Sequence, residues 1–500
     1  MKLFQNYFYL SWVFLPFLYF SIGNFNQFSL IEIFIVFAIP LCLVSFLLVI
    51  NFVLNKIIDQ KHSLFVSYFF SSGIYMFFNF ALFGLSNMTY LLLSSVVIIF
   101  IPILTIRSSE FKRVITFATA AIILVCFVQL FLQILNFTSN SSSIDTRPTK
   151  SYQLKNSSYE LPNVYSIILD AYSSSDELLK LGFDNSSFEN NLKNKGFFVA
   201  KSAKANFIES YLSMYTFWSM DYPQERDFQD NINLPAIKKR LLFNSPVLDN
   251  FRDLGYSYIK MGPNQSTAQD CSGYEDICLF KINENDGTAG GLSSNIFIQI
   301  FKMTPFYNIW YKYFFSDQRN IYLKSTLSDA EKALNFDQKK PYLLSINVWQ
   351  PHAPYIYDNN CLPHEKPIPY EDSWDESKIN YYLDSTKCAN LQTESLIKKI
   401  IKNDPNAIII LQSDHGHSFI TDVNPDPKIW TKDQISSRTS ILWAIKTPER
   451  CKRNAYDKIT SVNSMRLVLA CITFEEPDFI EDVSYIHNLR TQKDFLKIKN

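Results

Sequence analysis

The stretch AIIILQSDHGHSF, residues 407–419, decides how the rest of the chain is read. Its first half is a continuous apolar run; its second half holds Asp414, His415, Gly416 and His417. An unalternating, β-branched run of this length suits a strand buried on both faces, as in parallel sheets. A carboxylate directly after such a strand is costly to bury unless it is paired or bound to a metal. Asp414 and His415 offer an oxygen and an imidazole side by side, and Gly416 lets the chain turn. A single aspartate after a strand also serves as a helix cap, so companions have to be found elsewhere.

Four further runs share the strand pattern: NVYSIILD (163–170), YSYIKMG (256–262), PYLLSINVW (341–349) and SILWAIK (440–446). Helical patterns lie between them, including SPVLDNFRDLG (245–255) and residues 378–402. This alternation predicts an α/β/α sandwich around a mostly parallel sheet. Ligands in such folds collect beyond the carboxyl ends of the strands. The run 163–170 ends at Asp170, and the run 341–349 is followed by His352 within WQPHAPY. Between these, ANFIESYLSM (205–214) supplies Ser210 and Ser213, with Thr216 just beyond. Ser and Asn are ordinary helix-start residues. Two carboxylates, one histidine and one hydroxyl oxygen complete a four-coordinate site for zinc or manganese. With only six histidines in the chain, one divalent ion is the simpler expectation.

The chain has a sharp internal split. Apolar runs at 4–23, 31–54, 64–85, 89–106 and 114–137 fill the first 137 residues. Each is near the ~20 residues a helix needs to cross a bilayer. A single apolar run can be a cleaved signal peptide, but five in series cannot. Lys2, the pair Lys56 and Lys61, and the group Arg107, Lys112 and Arg113 mark alternate ends of these runs, while 24–30 and 86–88 carry no Lys or Arg. The positive-inside rule then predicts a five-helix transmembrane bundle with a cytoplasmic N-terminus, and everything after about 138 outside. Residues 138–160 read as a linker or tether, 161–475 as the exported catalytic domain, and 476–500 as a charged tail without chemical signal. Six of the eight cysteines lie in the exported part. That suggests disulfides. Proximity favours Cys271 with Cys278, Cys361 with Cys388, and Cys451 with Cys471, although fifteen pairings are open. Lys and Arg balance Asp and Glu, 47 against 47, which gives no hint of a nucleic-acid partner.

Taken together, residues 161–223, AIIILQSDHGHSF and the apolar N-terminal third resemble the alkaline phosphatase superfamily, and within it the sulfatase-like hydrolases and transferases. The layout is similar to membrane-anchored phosphoethanolamine transferases and to lipoteichoic-acid synthase-like phosphoglycerol transferases. The resemblance implies an alkaline-phosphatase-like fold with Asp170, Asp414 and His415 as metal ligands. It implies Ser210 as ligand and nucleophile, where tethered relatives usually carry Thr, with Ser213 and Thr216 as fallbacks. His352 would be catalytic and substrate-facing, and His417 would share its pocket. Arg438 would meet an anionic group or be solvated. The implied donor is a phospholipid and the implied acceptor an envelope glycan or lipid, at a bacterial inner membrane with the catalytic domain periplasmic. A phosphodiesterase or sulfatase-like hydrolase, or a non-catalytic scaffold keeping the fold, are the alternatives. Formylglycine sulfatases need Cys or Ser followed by x-P-x-R, and Ser210 is followed by YLSM.

Overall fold

The computed structural model of the chain describes residues 8–23, 30–80, 87–141, 150–154, 160–223, 245–261, 275–278, 300–301, 303–307, 330, 334, 340–368, 374–421, 426–488 and 494–499. They fall into two compact units. The first comprises Met1–Ile144 and Gly291–Ser316, the second Asp145–Gly290 and Asp317–Asn500. Residues 300, 301 and 303–307 thus fall in the first unit, although they lie inside the 161–475 range expected as one domain.

In the first unit every apolar run is helical over its described residues. A 3₁₀ turn at Phe8–Val13 leads into helices Leu15–Gly23, Leu30–Leu54, Gln60–Phe78, Asn87–Arg107 and Ser109–Ser141. Two segments, Phe34–Leu54 and Ser109–Gln133, are long and apolar enough to cross a membrane. Helix Gln60–Phe78 is less apolar because it carries serines, and these face inward. Ser63, Ser67, Ser71 and Ser72 are buried, and Asn51 Nδ2 donates to the Ser63 and Ser67 hydroxyls at 3.1 and 2.9 Å. Small hydroxyl side chains let helix backbones approach closely in apolar surroundings. The large side chains point the other way: Phe34 and Phe117 are each 73% exposed, and Phe52, Leu124 and Phe131 are exposed too. Apolar surface outside with polar glue inside is the inverse of a water-soluble helix bundle.

The second unit is a three-layer α/β/α sandwich. Its strands are β1 (Val164–Asp170), β2 (Phe198–Val199), β3 (Ser257–Met261), β4 (Ile277–Cys278), β5 (Tyr342–Pro351), β6 (Tyr355–Tyr357), β7 (Pro363–Ile368), β8 (Ile408–Ser413), β9 (Trp443–Lys446), β10 (Val483–Ile486) and β11 (Leu496–Lys499). The main sheet runs β2-β9-β8-β1-β5-β3-β4. The pairings β8–β1, β1–β5, β5–β3 and β3–β4 are parallel, while β9 runs antiparallel to both its neighbours. The sheet is therefore mixed at one edge. Every residue of β1 and β8 is buried, which is why neither alternates in sequence.

The two faces of β1 feed two cores. Val164 and Ile168 join Trp218, Phe251, Val468 and Ile472, on helices Ser210–Ser219, Pro246–Asp253 and Ser461–Thr473. Tyr165, Ile167 and Leu169 join Leu178, Leu192, Leu396 and Ile400, on helices Ser175–Lys180, Ser186–Asn194 and Ile379–Asn403. From the tether, Tyr152 is buried in the first of these cores, and its N–H donates to Asn250 Oδ1 at 2.8 Å. Disulfides join Cys361 to Cys388 and Cys451 to Cys471. The expected bond between Cys271 and Cys278 lies outside the described residues. The tail is more ordered than its composition suggested: β10 and β11 form an antiparallel hairpin, and Tyr485 N–H donates to Asn206 O at 2.7 Å.

Candidate metal centre and active site

Strand register brings the candidate residues level. Leu169 of β1 lies opposite Val348 of β5 and Ser413 of β8. The next residues, Asp170 and Asp414, therefore leave the sheet side by side at the carboxyl edge. His352 follows β5 at the same edge and donates its N–H to Asp170 O at 3.2 Å. Ligand atoms of Asp170, Asp414 and His415 lie within 4.8 Å of one another, and all three residues are buried. His415 Nε2 is 3.7 Å from Asp170 Oδ1 and 3.7 Å from Asp414 Oδ2.

The hydrogen bonds orient the donors. His415 Nδ1 pairs with the Gly416 carbonyl at 2.9 Å. A carbonyl only accepts, so Nδ1 carries the proton and the Nε2 lone pair faces the carboxylates. Asp414 Oδ1 accepts from Ala171 N–H at 3.0 Å and His415 N–H at 2.8 Å. Asp170 Oδ1 is buried without a hydrogen-bond partner. Burial pushes the Asp170 carboxyl well above the usual carboxylate range, and the neighbouring Asp414 charge adds to this. Burial raises Asp414 too, against the Ser210 hydroxyl and the Ala171 amide. Burial and the Arg438 charge hold His415 down at about 3, so the ring is neutral at neutral pH. Two buried carboxylates with an orphaned oxygen and an imidazole lone pair fit a divalent ion such as zinc or manganese.

Ser210 is the first residue of helix Ser210–Ser219. Its Oγ lies 3.2 Å from His415 Nε2. The other two hydroxyls are committed elsewhere. Ser213 Oγ donates to Phe207 O at 2.7 Å, and Thr216 Oγ1 donates to Ser213 O at 2.7 Å. The structure therefore brings Asp170, Ser210, Asp414 and His415 together and leaves Ser213 and Thr216 in the helix packing.

His352 stands beside them, its ring centroid 6.3 Å from that of His415. Its Nδ1 pairs with Ala353 O at 2.6 Å, and burial lowers its pKa to about 4. Trp374 packs edge-on against His352 at 5.3 Å and also against Tyr382 and Phe419. His417 touches that same aromatic group, 6.2 Å from Tyr382 and 5.4 Å from Phe419. Its Nδ1 is buried without a hydrogen-bond partner. Burial brings its pKa to about 3.

Arg438 departs from the solvated role expected for it, and each of its terminal nitrogens spends one N–H on a backbone carbonyl. It is buried on helix Lys432–Thr439. Nη1 donates to Gly416 O at 2.8 Å and Nη2 to Ile208 O at 2.6 Å. It thus ties the loop carrying His415 to the segment leading into Ser210. Two further residues were not singled out from sequence. Glu209, preceding Ser210, lies 3.7 Å by Oε1 from Nε2 of the fully buried His487. Adjacency to Ser210 was the one available signal for Glu209. Nothing in the sequence links position 487 to position 209.

The Sulfatase family model matches residues 162–465, which is more than half of the chain. No curated protein matches the chain in sequence. Among solved structures, the chain is similar to the C-terminal periplasmic domain of EcEptC from Escherichia coli in complex with Zn, at 13% identity and TM-score 0.45, covering 70% of this chain and 96% of that one. It is similar to the integral membrane protein lipooligosaccharide phosphoethanolamine transferase A from Neisseria meningitidis, at 12% identity and TM-score 0.41, covering 95% and 96%. It is also similar to BT1596, a 2-O GAG sulfatase, at 13% identity and TM-score 0.39, covering 66% and 78%. None of these likenesses assigns a reaction. The family match spans both ligand-bearing strands and the segment with Ser210 between them, and on that match the chain belongs to the Sulfatase family of alkaline phosphatase-like enzymes.

Proposed function

We propose that this protein is a membrane-anchored, metal-dependent phosphotransferase. It moves a phospholipid-derived head group, phosphoethanolamine or phosphoglycerol, to an envelope glycan or lipid. The observation that carries this reading is the Ser210 hydroxyl, 3.2 Å from the His415 lone pair, beside two buried carboxylates. Asp170, Asp414, His415 and Ser210 would hold the ion. When bound, a divalent ion supplies positive charge that lowers the pKa of a nearby hydroxyl and neutralises phosphoryl oxygens.

The chain's own residues do the rest. Ser210 Oγ attacks the phosphorus, and the bond to the diacylglycerol oxygen breaks. The proton of the Ser210 hydroxyl passes to the departing diacylglycerol oxygen, and the head group stays on Ser210 as a phosphodiester. Amide N–H groups at the start of helix Ser210–Ser219 face the incoming phosphoryl oxygens. His352 is neutral at neutral pH, so it takes the proton of an acceptor hydroxyl as general base. The acceptor oxygen then bonds to the phosphorus as the bond to Ser210 Oγ breaks, and His352 returns the proton to Oγ. Formylglycine chemistry is disfavoured because Leu212 and Met214 stand where the modifying enzyme needs Pro and Arg.

Five spans with a cytoplasmic N-terminus would place the catalytic unit on the periplasmic side of a bacterial inner membrane. Loop charges and the exposed apolar side chains of the first unit support this. The test is mass spectrometry of the full-length protein after incubation with a head-group-labelled phospholipid and zinc. A labelled adduct on Ser210 is expected, absent in Ser210→Ala. Labelling that survives in Ser210→Ala removes the nucleophile assignment. Product formed without an acceptor selects the hydrolase alternative.

A further inference from the structure

Residues 300–307 sit in sequence between two strands of the catalytic unit, β4 and β5, yet they pack inside the apolar unit. Ile300 and Met303 are 5% and 8% exposed and share one core with Phe17, Val36 and Leu130. Phe306 meets Phe77 with ring centroids 5.4 Å apart. The segment satisfies part of its own backbone by short-range bonds: Met303 N–H to Ile300 O at 3.1 Å, Thr304 N–H to Phe301 O at 3.0 Å, and Tyr307 N–H to Thr304 O at 3.2 Å. Its composition, IFKMTPFY, is apolar and aromatic, as in segments that lodge where bilayer meets water.

The end of the bundle it meets is informative. Loop charges alone put Lys56, Lys61 and Arg107 on the cytoplasmic side. Helix Gln60–Phe78 then reaches the outer side at Phe77 and Phe78. Phe17 lies in the outward half of the apolar run 4–23 and meets Phe78 with ring centroids 4.8 Å apart, Val36 lies near the outer start of Leu30–Leu54, and Leu130 lies in the outward half of Ser109–Ser141. Every partner of 300–307 named above is therefore at the outer end. This is the only end that a segment following residue 138 reaches after five crossings.

We infer that residues 300–307 are a second membrane anchor. They hold the exported domain at the outer leaflet independently of the tether at 138–160, with the acyl and head-group boundary of a phospholipid bilayer as partner for the exposed Phe306. The inference uses the topology proposed above but none of its chemistry.

The test uses the full-length protein in proteoliposomes, with residues 142–149 replaced by a protease recognition sequence and Cys42 and Cys126 changed to Ser. In a Phe77→Cys/Phe306→Cys pair, oxidation followed by cleavage leaves the two fragments joined on a non-reducing gel. Neither single variant does so. A pair that fails to join, or a single variant that joins equally well, overturns the contact. Without added cysteines, the cleaved C-terminal fragment pellets with the vesicles after a high-salt wash. Ile300→Asp/Met303→Asp raises its release by about tenfold or more. A wild-type fragment found in the supernatant, or unchanged release from the variant, overturns the anchor. Both readouts are independent of head-group transfer, so loss of Ser210 labelling leaves them untouched.

Discussion

The Ser213 hydroxyl donates to the Phe207 carbonyl inside the helix packing, while three residues earlier the Ser210 hydroxyl faces His415 Nε2. Substituting each therefore has opposite consequences. Ser213→Ala loses one buried hydrogen bond, costing about 1 kcal/mol, and keeps the labelled adduct. Ser210→Ala keeps the melting temperature within about a degree and loses the adduct. Thermal unfolding together with head-group labelling separates the two, and a reversed pattern would move the nucleophile to Ser213. Asp170 gives a sharper contrast. Its Oδ1 has no partner, and Asp414 lies beside it, so without metal its charge works against folding. Asp170→Asn is expected to stabilise the metal-free protein by on the order of 1 kcal/mol. The same change removes most of the rise in melting temperature that zinc gives the wild type. Scans with chelator and with zinc check both halves, and a destabilised metal-free Asp170→Asn variant would show that the carboxylate is structural.

Between elements, the loop after β8 and the helix Lys432–Thr439 pack so closely that only glycine fits. A Cβ on Gly416 would come within 2.2 Å of Ser437 O, a backbone atom. The sequence predicts a turn at this glycine. The structure gives it no positive φ and instead a close approach that no single sequence displays. Gly416→Ala must push the loop away, and His415 with it. We expect it to weaken zinc binding by about tenfold or more while the disulfide-bonded fold survives, measured by zinc titration and circular dichroism. Arg438 belongs to the same joint, since it bridges Gly416 O and Ile208 O. Arg438→Met leaves both carbonyls without their charged donor, at about 1.5–3 kcal/mol for each bond lost. Zinc affinity and melting temperature should then fall together, whereas a role in substrate binding alone would raise only KM. Asp170, Asp414 and His415 were legible because each lies at the end of a strand that reads plainly or within two residues after it. Arg438 and His487 were not, because their roles depend on which distant carbonyl or carboxylate the fold sets beside them.

Across the whole molecule, the strand segments were readable from continuous apolar runs, and the family from Asp170, Ser210 and AIIILQSDHGHSF in order. The antiparallel setting of β9 and the return of 300–301 and 303–307 to the apolar unit were not, since neither leaves a periodic signature. The five crossings we propose rest on the loop charges. Among the described residues, only Phe34–Leu54 and Ser109–Gln133 are long and apolar enough to cross by composition. The others fall short partly because inward serines lower their hydropathy, as in Gln60–Phe78. Serines that bond within the bundle carry little desolvation cost in a bilayer, so the loop charges are the better guide to topology. The prediction is an odd number of crossings with fixed sides. In a background with Cys42 and Cys126 changed to Ser, Lys61→Cys and Lys112→Cys should resist a membrane-impermeant maleimide applied to spheroplasts and react after permeabilisation. Asn87→Cys should react in intact spheroplasts. If Lys61→Cys and Asn87→Cys behave alike, helix Gln60–Phe78 does not cross. The exported domain, its disulfides and a phospholipid donor in the outer leaflet would then be on opposite sides of the membrane, and the transferase reading would fail with the topology.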